Sequence, residues 1–367
     1  METYLRDLVT YQSKKMEVEV MVSNEAPRTQ VDLLDGAKIT RLACFGMVAS
    51  QPICPSFMWQ LRGHKESVVH MHVPNPWAAQ CYLMSGHPGK LVITHHADTL
   101  GRPLLRRLTN PAVRGAMKRA GAIIVTSKRY LESSPELVEF REKCRVVPLG
   151  IDVDSFHGDW PEKVREIRAQ YGQRLILLVA RLVPYKGIEY LLEAMRKVDA
   201  TLLIIGKGRM REELNAKIGE LGIGGRAHLV GPVDDTRPYY KACEMLLLPS
   251  VTRAESFGIV QVEGMAAGLP VINTDIDSGV PEVSVHGQTG ITVRPRDPEA
   301  LAQAITLLLE NHEMRSRFGE AGAVRARKEF SAEKMAESTL QVYDEVLHGS
   351  VLGPRKQKAA AAGGGVR

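Results

Sequence analysis

Long apolar runs are missing from this 367-residue chain. None approaches the roughly 20 residues that cross a bilayer, and the start has no signal-type apolar stretch, so the sequence predicts neither a membrane span nor a secretory leader. Cysteine is scarce. Cys44, Cys54, Cys81, Cys144 and Cys243 are an odd, scattered set with no C-x-x-C pair. That argues against a disulfide framework or a zinc site and predicts reduced thiols in a cytosol. The glycine turn at Gly206-Lys-Gly208 lacks the G-x-G-x-x-G spacing and the ribose-binding acid of a nicotinamide site. No D-x-D element falls in a suitable loop, no convincing nucleophile–base pair is visible, and no repeat of solenoid period recurs. Neither charge sign dominates: a net charge of +6 permits anionic ligands or a lipid surface without requiring either. Hydrophobic content of 44% and charged content of 25% are those of a soluble globular chain, long enough for two domains with separate cores.

What is present concentrates between Leu248 and Ile272. The apolar run Met245 to Leu248, stopped by Pro249 and Ser250, has the length of a buried strand. Phe257 to Ala267 has helical length and ends at Gly268 and Pro270, a C′ glycine with a proline just beyond. Val271-Ile272-Asn273 then opens another strand, which makes one strand–loop–helix–strand unit of a parallel α/β sheet. Ser256 is the expected N-cap, leaving the N–H groups of Gly258, Ile259 and Val260 as donors for an anion. Glu255 precedes the helix, and Glu263 lies within it and leans back toward its start. Two acceptors beside an anion site suit the hydroxyls of a sugar and a ribose. Taken alone, the spacing fits a surface glutamate on an ordinary helix equally well.

In context it does not stand alone. Glu255 and Glu263 within Ser-Phe-Gly-Ile-Val…Glu-Gly-Met-Ala-Ala-Gly-Leu-Pro-Val resemble the signature of the retaining, family-4 type glycosyltransferases. The resemblance covers almost the whole chain and implies the GT-B fold, two facing Rossmann-like domains around a cleft. Residues 1–150 are then the acceptor-side domain and 151–330 the nucleotide-sugar domain, with Asp152 to Trp160 as linker. A helix over 332–348 returns to the first domain, and 349–367, rich in alanine and glycine, forms a disordered tail. The family's first strand and Gly-Gly loop have no counterpart. Met1-Glu2 sits where the last two positions of that loop fall, so Met1 is expected to be an internal methionine of a longer product.

The apolar strand from Leu175 delivers Arg181 to its carboxyl end, and Lys186-Gly187 open the next helix. A planar guanidinium and an ammonium in one loop fit a diphosphate, and the family holds its donor phosphates there. The resemblance likewise implies donor contacts near Gly206, Val230 and Gly231. In the first half, Val73-Pro-Asn-Pro-Trp77 makes a stiff turn with Asn75 facing the cleft. Leu91 to Asp98 is a strand ending in His95, His96 and Asp98, where ligands of open α/β sheets bind. Such a histidine is often structural; the family's His-x-Asp element favours His96 as a contact to the transferred sugar and Asp98 on the acceptor side. Residues 101–119 are basic and amphipathic, which fits an anionic membrane face or an ordinary solvated helix.

The resulting expectation is a metal-independent, cofactor-free enzyme that transfers a hexose with retention. The guess is mannose from a GDP-sugar, with a UDP-sugar possible, passed to a glycan or polyprenyl-linked acceptor. It would work in the cytoplasm or against the inner membrane face, with no nucleic-acid partner. Front-face attack with the donor phosphate taking the acceptor proton is the implied chemistry, and Glu255 as covalent nucleophile the alternative. A nucleotide-sugar-binding protein without transfer, or an epimerase or hydrolase on the same fold, are the rival readings.

Overall fold

The second half's strands are near-continuous apolar runs, as strands covered on both faces must be. In the computed structural model, residues 2–48, 51–98 and 103–349 are described. Met1, Arg102 and the expected tail from residue 350 onward lie outside the described residues, as do the side chains of residues 103–110, Arg106 and Arg107 among them.

The first half opens with helix α1 (Glu2–Ser13), whose Tyr4, Leu8 and Val9 are buried on one face. A small sheet follows from β1 (Glu19–Ser23), β2 (Gln30–Leu34) and β3 (Ala37–Leu42), in the order β1-β3-β2. The hairpin of β4 (Met47–Val48) and β5 (Gln51–Pro52) leads into α2 (Ser56–Gly63). Then β6 (Val68–Val73), α3 (Pro76–Ser85), β7 (Lys90–His95), α4 (Pro103–Arg119), β8 (Ala122–Val125), α5 (Lys128–Ser133) and β9 (Cys144–Val146) follow one another. These strands pair in parallel as β6-β7-β8-β9. Among the described residues β1 pairs only with β3 and β6 only with β7, so the three-stranded and four-stranded sheets of this half stay separate, with the β4-β5 hairpin between them in sequence.

The second half runs α6 (Pro161–Tyr171), β10 (Leu175–Val179), α7 (Ile188–Ala194), β11 (Thr201–Ile205), α8 (Arg211–Glu220), β12 (Ala227–Gly231), α9 (Arg237–Ala242) and β13 (Leu246–Leu248). It continues through α10 (Ile259–Ala266), β14 (Val271–Thr274), α11 (Val280–Val283), β15 (Gly290–Val293), α12 (Pro298–Glu310) and α13 (His312–Glu329). Its six strands are all parallel, ordered β12-β11-β10-β13-β14-β15. Strand order therefore reverses between β10 and β13, which opens a crevice at their carboxyl ends. One apolar cluster joins the sheet to α7, α8 and α12, and the other joins it to α6, α9 and α10.

One expectation needs adjustment. The segment Asp152 to Trp160 is not a loose linker: Val153–Phe156 form a single 3-10 turn with Val153 and Phe156 buried. The cause is aromatic packing, since Phe156 meets Tyr240 edge-on at 5.7 Å. The last helix, α14 (Ala332–His348), lies against the first half. There Tyr343 takes a hydrogen bond from Gln12 at 3.3 Å and shares one with His70 Nδ1 at 2.7 Å, and Arg145 Nε donates to Glu345 at 2.8 Å.

Candidate active site

The site is assembled at the point where strand order reverses. The strand β10 ends at Val179, and the loop after it carries Arg181, exposed, and Lys186, 8% exposed. Arg181 Nη2 donates to the Tyr185 hydroxyl at 3.0 Å, which steadies the guanidinium at the cavity edge. The strand β13 ends at Leu248, and Val251 N donates to Tyr185 O at 2.9 Å, tying the two loops together. Lys186 Nζ is bonded to Glu255 Oε2, which also accepts from Ser250 Oγ at 3.2 Å. Both members of this ion pair are largely enclosed, with side chains 10% and 12% exposed.

A cavity of about 380 Å³ opens between these loops and the start of α10. Arg181, Lys186, Gly206, Glu255, Gly258, Ile259, Val260 and Glu263 all line it. The helix start differs from the expectation of a Ser256 cap. Helix α10 begins at Ile259, and its N-cap is Gly258 in the left-handed region, φ 74°, with no side-chain cap. The left-handed residue carries Ser256 away from the first turn, and Ser256 O instead accepts from Gly279 N at 2.8 Å. A side chain at Gly258 would be strained by that φ and would run into Leu248 and Gln261. Gln261 N is used by Gly258 O at 2.9 Å, so Ile259 and Val260 hold the first-turn amides left without an intrahelical acceptor. Glu263 lies deeper. Burial pushes its carboxyl up from the usual carboxylate range, and a hydrogen bond from Tyr240 at 2.6 Å pulls it back down.

The comparisons agree with this geometry. Residues 161–325 match the family described as glycosyl transferases group 1, and residues 1–155 match Glycosyltransferase Family 4. The D-rhamnosyltransferase WbpZ of Pseudomonas aeruginosa is 31% identical over 267 residues, spanning 72% of this chain and 70% of that protein. The chain belongs to the group 1 glycosyltransferases. An O-antigen chain mannosyltransferase of Escherichia coli is 25% identical across 82% of this chain and 81% of its own. In fold, the sucrose-phosphate synthase of Thermosynechococcus elongatus superposes with a TM-score of 0.77 at 21% identity, covering 95% of this chain and 93% of that one. The Anabaena protein HepE, solved with UDP, gives 0.76 at 18% identity, covering 94% and 96%. Both halves of this glycosyltransferase thus have the GT-B arrangement.

The remaining residues singled out in the glycosyltransferase's sequence sit elsewhere. Pro232, Val233 and Thr236 line the cavity in place of Val230 and Gly231; Val230, half-buried, packs against the core, and Gly231 O accepts from Gly206 N at 2.9 Å. Asn75 caps α3, accepting from Ala78 N at 3.0 Å. His96, 6% exposed, stacks on His72 with ring centroids 5.2 Å apart and meets the Tyr4 hydroxyl at 2.7 Å. Burial holds His96 well below the ordinary histidine range and His72 at about 4, so this stack is neutral at pH 7. Asp98 takes a hydrogen bond from Ser134 and pairs with Arg253 of the second half at 2.6 Å, its side chain 2% exposed. Lys207 and Thr236, which line the cavity, carried no local signal, nor did Tyr240 and Arg253, whose partners Glu263 and Asp98 are distant in the chain.

Proposed function

We propose that the chain transfers a hexose, with retention, from a nucleotide sugar to a glycan or lipid-linked acceptor in surface-polysaccharide or glycolipid assembly. The observation that carries this reading is the convergence of Arg181, Lys186 and the first-turn amides of Ile259 and Val260 on one cavity that also holds Glu255 and Glu263. A diphosphate leaving group meets a guanidinium fork, an ammonium and preorganised backbone donors there, the groups that stabilise developing negative charge. Lys186 and Glu255 neutralise each other before the donor arrives. A diphosphate then competes for the ammonium and frees Glu255 to accept from the sugar hydroxyls. Glu263, on the far wall, accepts from the ribose. Among the described residues, Glu255 and Glu263 are the carboxylates lining this cavity and no histidine lines it, which fits front-face attack with the donor phosphate taking the acceptor proton.

Mannose from a GDP-sugar is the favoured donor, supported by the Escherichia coli mannosyltransferase among the relatives. A UDP-sugar is the competitor, given the neighbour solved with UDP. Peripheral contact with the inner membrane face is supported by Trp59 and Met84, exposed on α2 and α3, the layer that packs beside basic α4. Among the described residues no helix is long and apolar enough to cross a membrane.

The test is incubation with GDP-mannose and with UDP-hexoses, with and without a lipid-linked glycan, following nucleotide release and the anomeric proton of the product by NMR. Acceptor-dependent transfer with retained configuration, unaffected by EDTA, is expected. Free sugar or an epimer without acceptor, or inversion, overturns the reading. Arg181→Ala is expected to weaken nucleoside diphosphate binding by about 1.5–3 kcal/mol, roughly 10- to 150-fold, while leaving the fold intact.

A further inference from the structure

Glu263 is held from two directions. Its backbone comes from α10, while Oε2 accepts from the Tyr240 hydroxyl on α9 at 2.6 Å. Tyr240 is fully buried. Its ring is fixed edge-on against Phe156 at 5.7 Å and packed within the apolar cluster that includes Leu246, Leu248 and Val260. A phenol so enclosed cannot turn its hydroxyl toward water, and a buried hydroxyl needs a partner. Burial pushes that hydroxyl well above its ordinary range, so it stays a donor at every working pH.

We propose that Tyr240 is a positioning residue for donor recognition: its hydroxyl fixes one Glu263 oxygen so that the side chain is held as an oriented acceptor facing the ribose hydroxyls. The proposal rests on the reading of Glu263 as the ribose-facing acid. The physical case is a balance of two effects on one carboxylate. Enclosure among Val179, Ile205, Val233 and Val260 disfavours the charged form, and a short hydrogen bond donated by a neutral phenol favours it. A protonated Glu263 would offer a donor where a diol also offers donors. A freely rotating Glu263 would lose ordering on each binding event. Tyr240 suppresses both failures without touching the ligand.

The experiment is calorimetric titration of the full chain with GDP, UDP and their 2′,3′-dideoxy counterparts between pH 5 and 8. Wild type, Tyr240→Phe and Glu263→Gln are compared. Tyr240→Phe is expected to weaken the ribonucleotide about tenfold, to leave the dideoxy compound unchanged, and to move the acid limb of binding to higher pH. The sign follows from removing a bond made to the charged form, which raises the Glu263 pKa. A merely structural tyrosine would weaken both nucleotides equally and leave the pH limb in place; that result overturns the proposal. Glu263→Gln separates the two readings. If it leaves ribose discrimination intact, the role of Glu263 fails whatever Tyr240 does. If it abolishes discrimination while Tyr240→Phe keeps it, only the Tyr240 proposal fails. Should Tyr240→Phe melt early, 3-fluorotyrosine at position 240 keeps the shape and donates more strongly. It then moves the acid limb to lower pH, and an unmoved limb rejects the proposal.

Discussion

The carboxyl ends of the two parallel sheets present opposite solutions to the same geometry. In the second half, the ends of β10 and β13 diverge, and Arg181, the first-turn amides of α10 and Glu263 open into a cavity. In the first half, the ends of β6 and β7 carry polar groups as rich in chemistry, yet these satisfy one another. His72, His96 and Tyr4 form a closed set, and Asp98 is occupied by Ser134 and Arg253. Position beyond a strand end is thus only half of a binding-site argument. The other half is whether the polar groups are left with unused hydrogen-bonding capacity, because a buried group already paired loses a bond when it turns to a ligand.

The largest effect expected from this contrast is at the ion pair inside the cavity. Lys186→Ala leaves Glu255 buried without its cation and should cost about 3–5 kcal/mol of stability, measured by chemical denaturation, and abolish transfer. The double variant Lys186→Ala with Glu255→Ala should recover most of the stability and none of the activity. Equal stability of the single and double variants would mean that the pair is solvated and that the cavity is wetter than described.

The histidine stack makes the next test, on the closed side of the comparison. His70, His72 and His96 all have folded pKa values pushed down by burial, His72 to about 4. The unfolded chain takes up their protons near pH 6.5, so stability is full above that pH and is lost as pH falls toward about 4. Denaturation midpoints at pH 7, 6, 5 and 4.5 should show this decline, and His72→Asn should flatten it. A profile identical in the variant would remove the stack as the source.

The smallest effect is expected where the halves meet at the surface. Arg129 bridges Asp275 at 2.8 Å and Asp277 at 3.1 Å. Half-exposed pairs of this kind contribute about 0.5 kcal/mol, so Arg129→Ala should lower stability only slightly and reduce its salt dependence. A loss of transfer in this variant would instead identify the bridge as part of domain closure.

Much of the second half was legible in sequence. The apolar runs of β10, β11 and β13 cannot avoid becoming buried strands, and Arg181, Lys186, Glu255 and Glu263 follow them within short loops or on the next helix. The Ser256 cap was misread for a local reason that no propensity carries: the chain enters α10 through a left-handed Gly258. His96 and Asp98 were placed correctly at a strand end, but their partners Tyr4, His72 and Arg253 lie far off in the chain.

What the sequence determined by itself is the set of local units: which segments form strands, which loops carry the cations and carboxylates, and the family these spell out. Tertiary structure alone decided which of those polar groups stay open. It reversed the strand order between β10 and β13 to make the cavity, set the Tyr240 hydroxyl against Glu263, and closed the histidines on Tyr4. The physical reason is range. Propensity and periodicity act over a turn or a strand, whereas hydrogen-bond satisfaction depends on groups brought together from opposite ends of the chain.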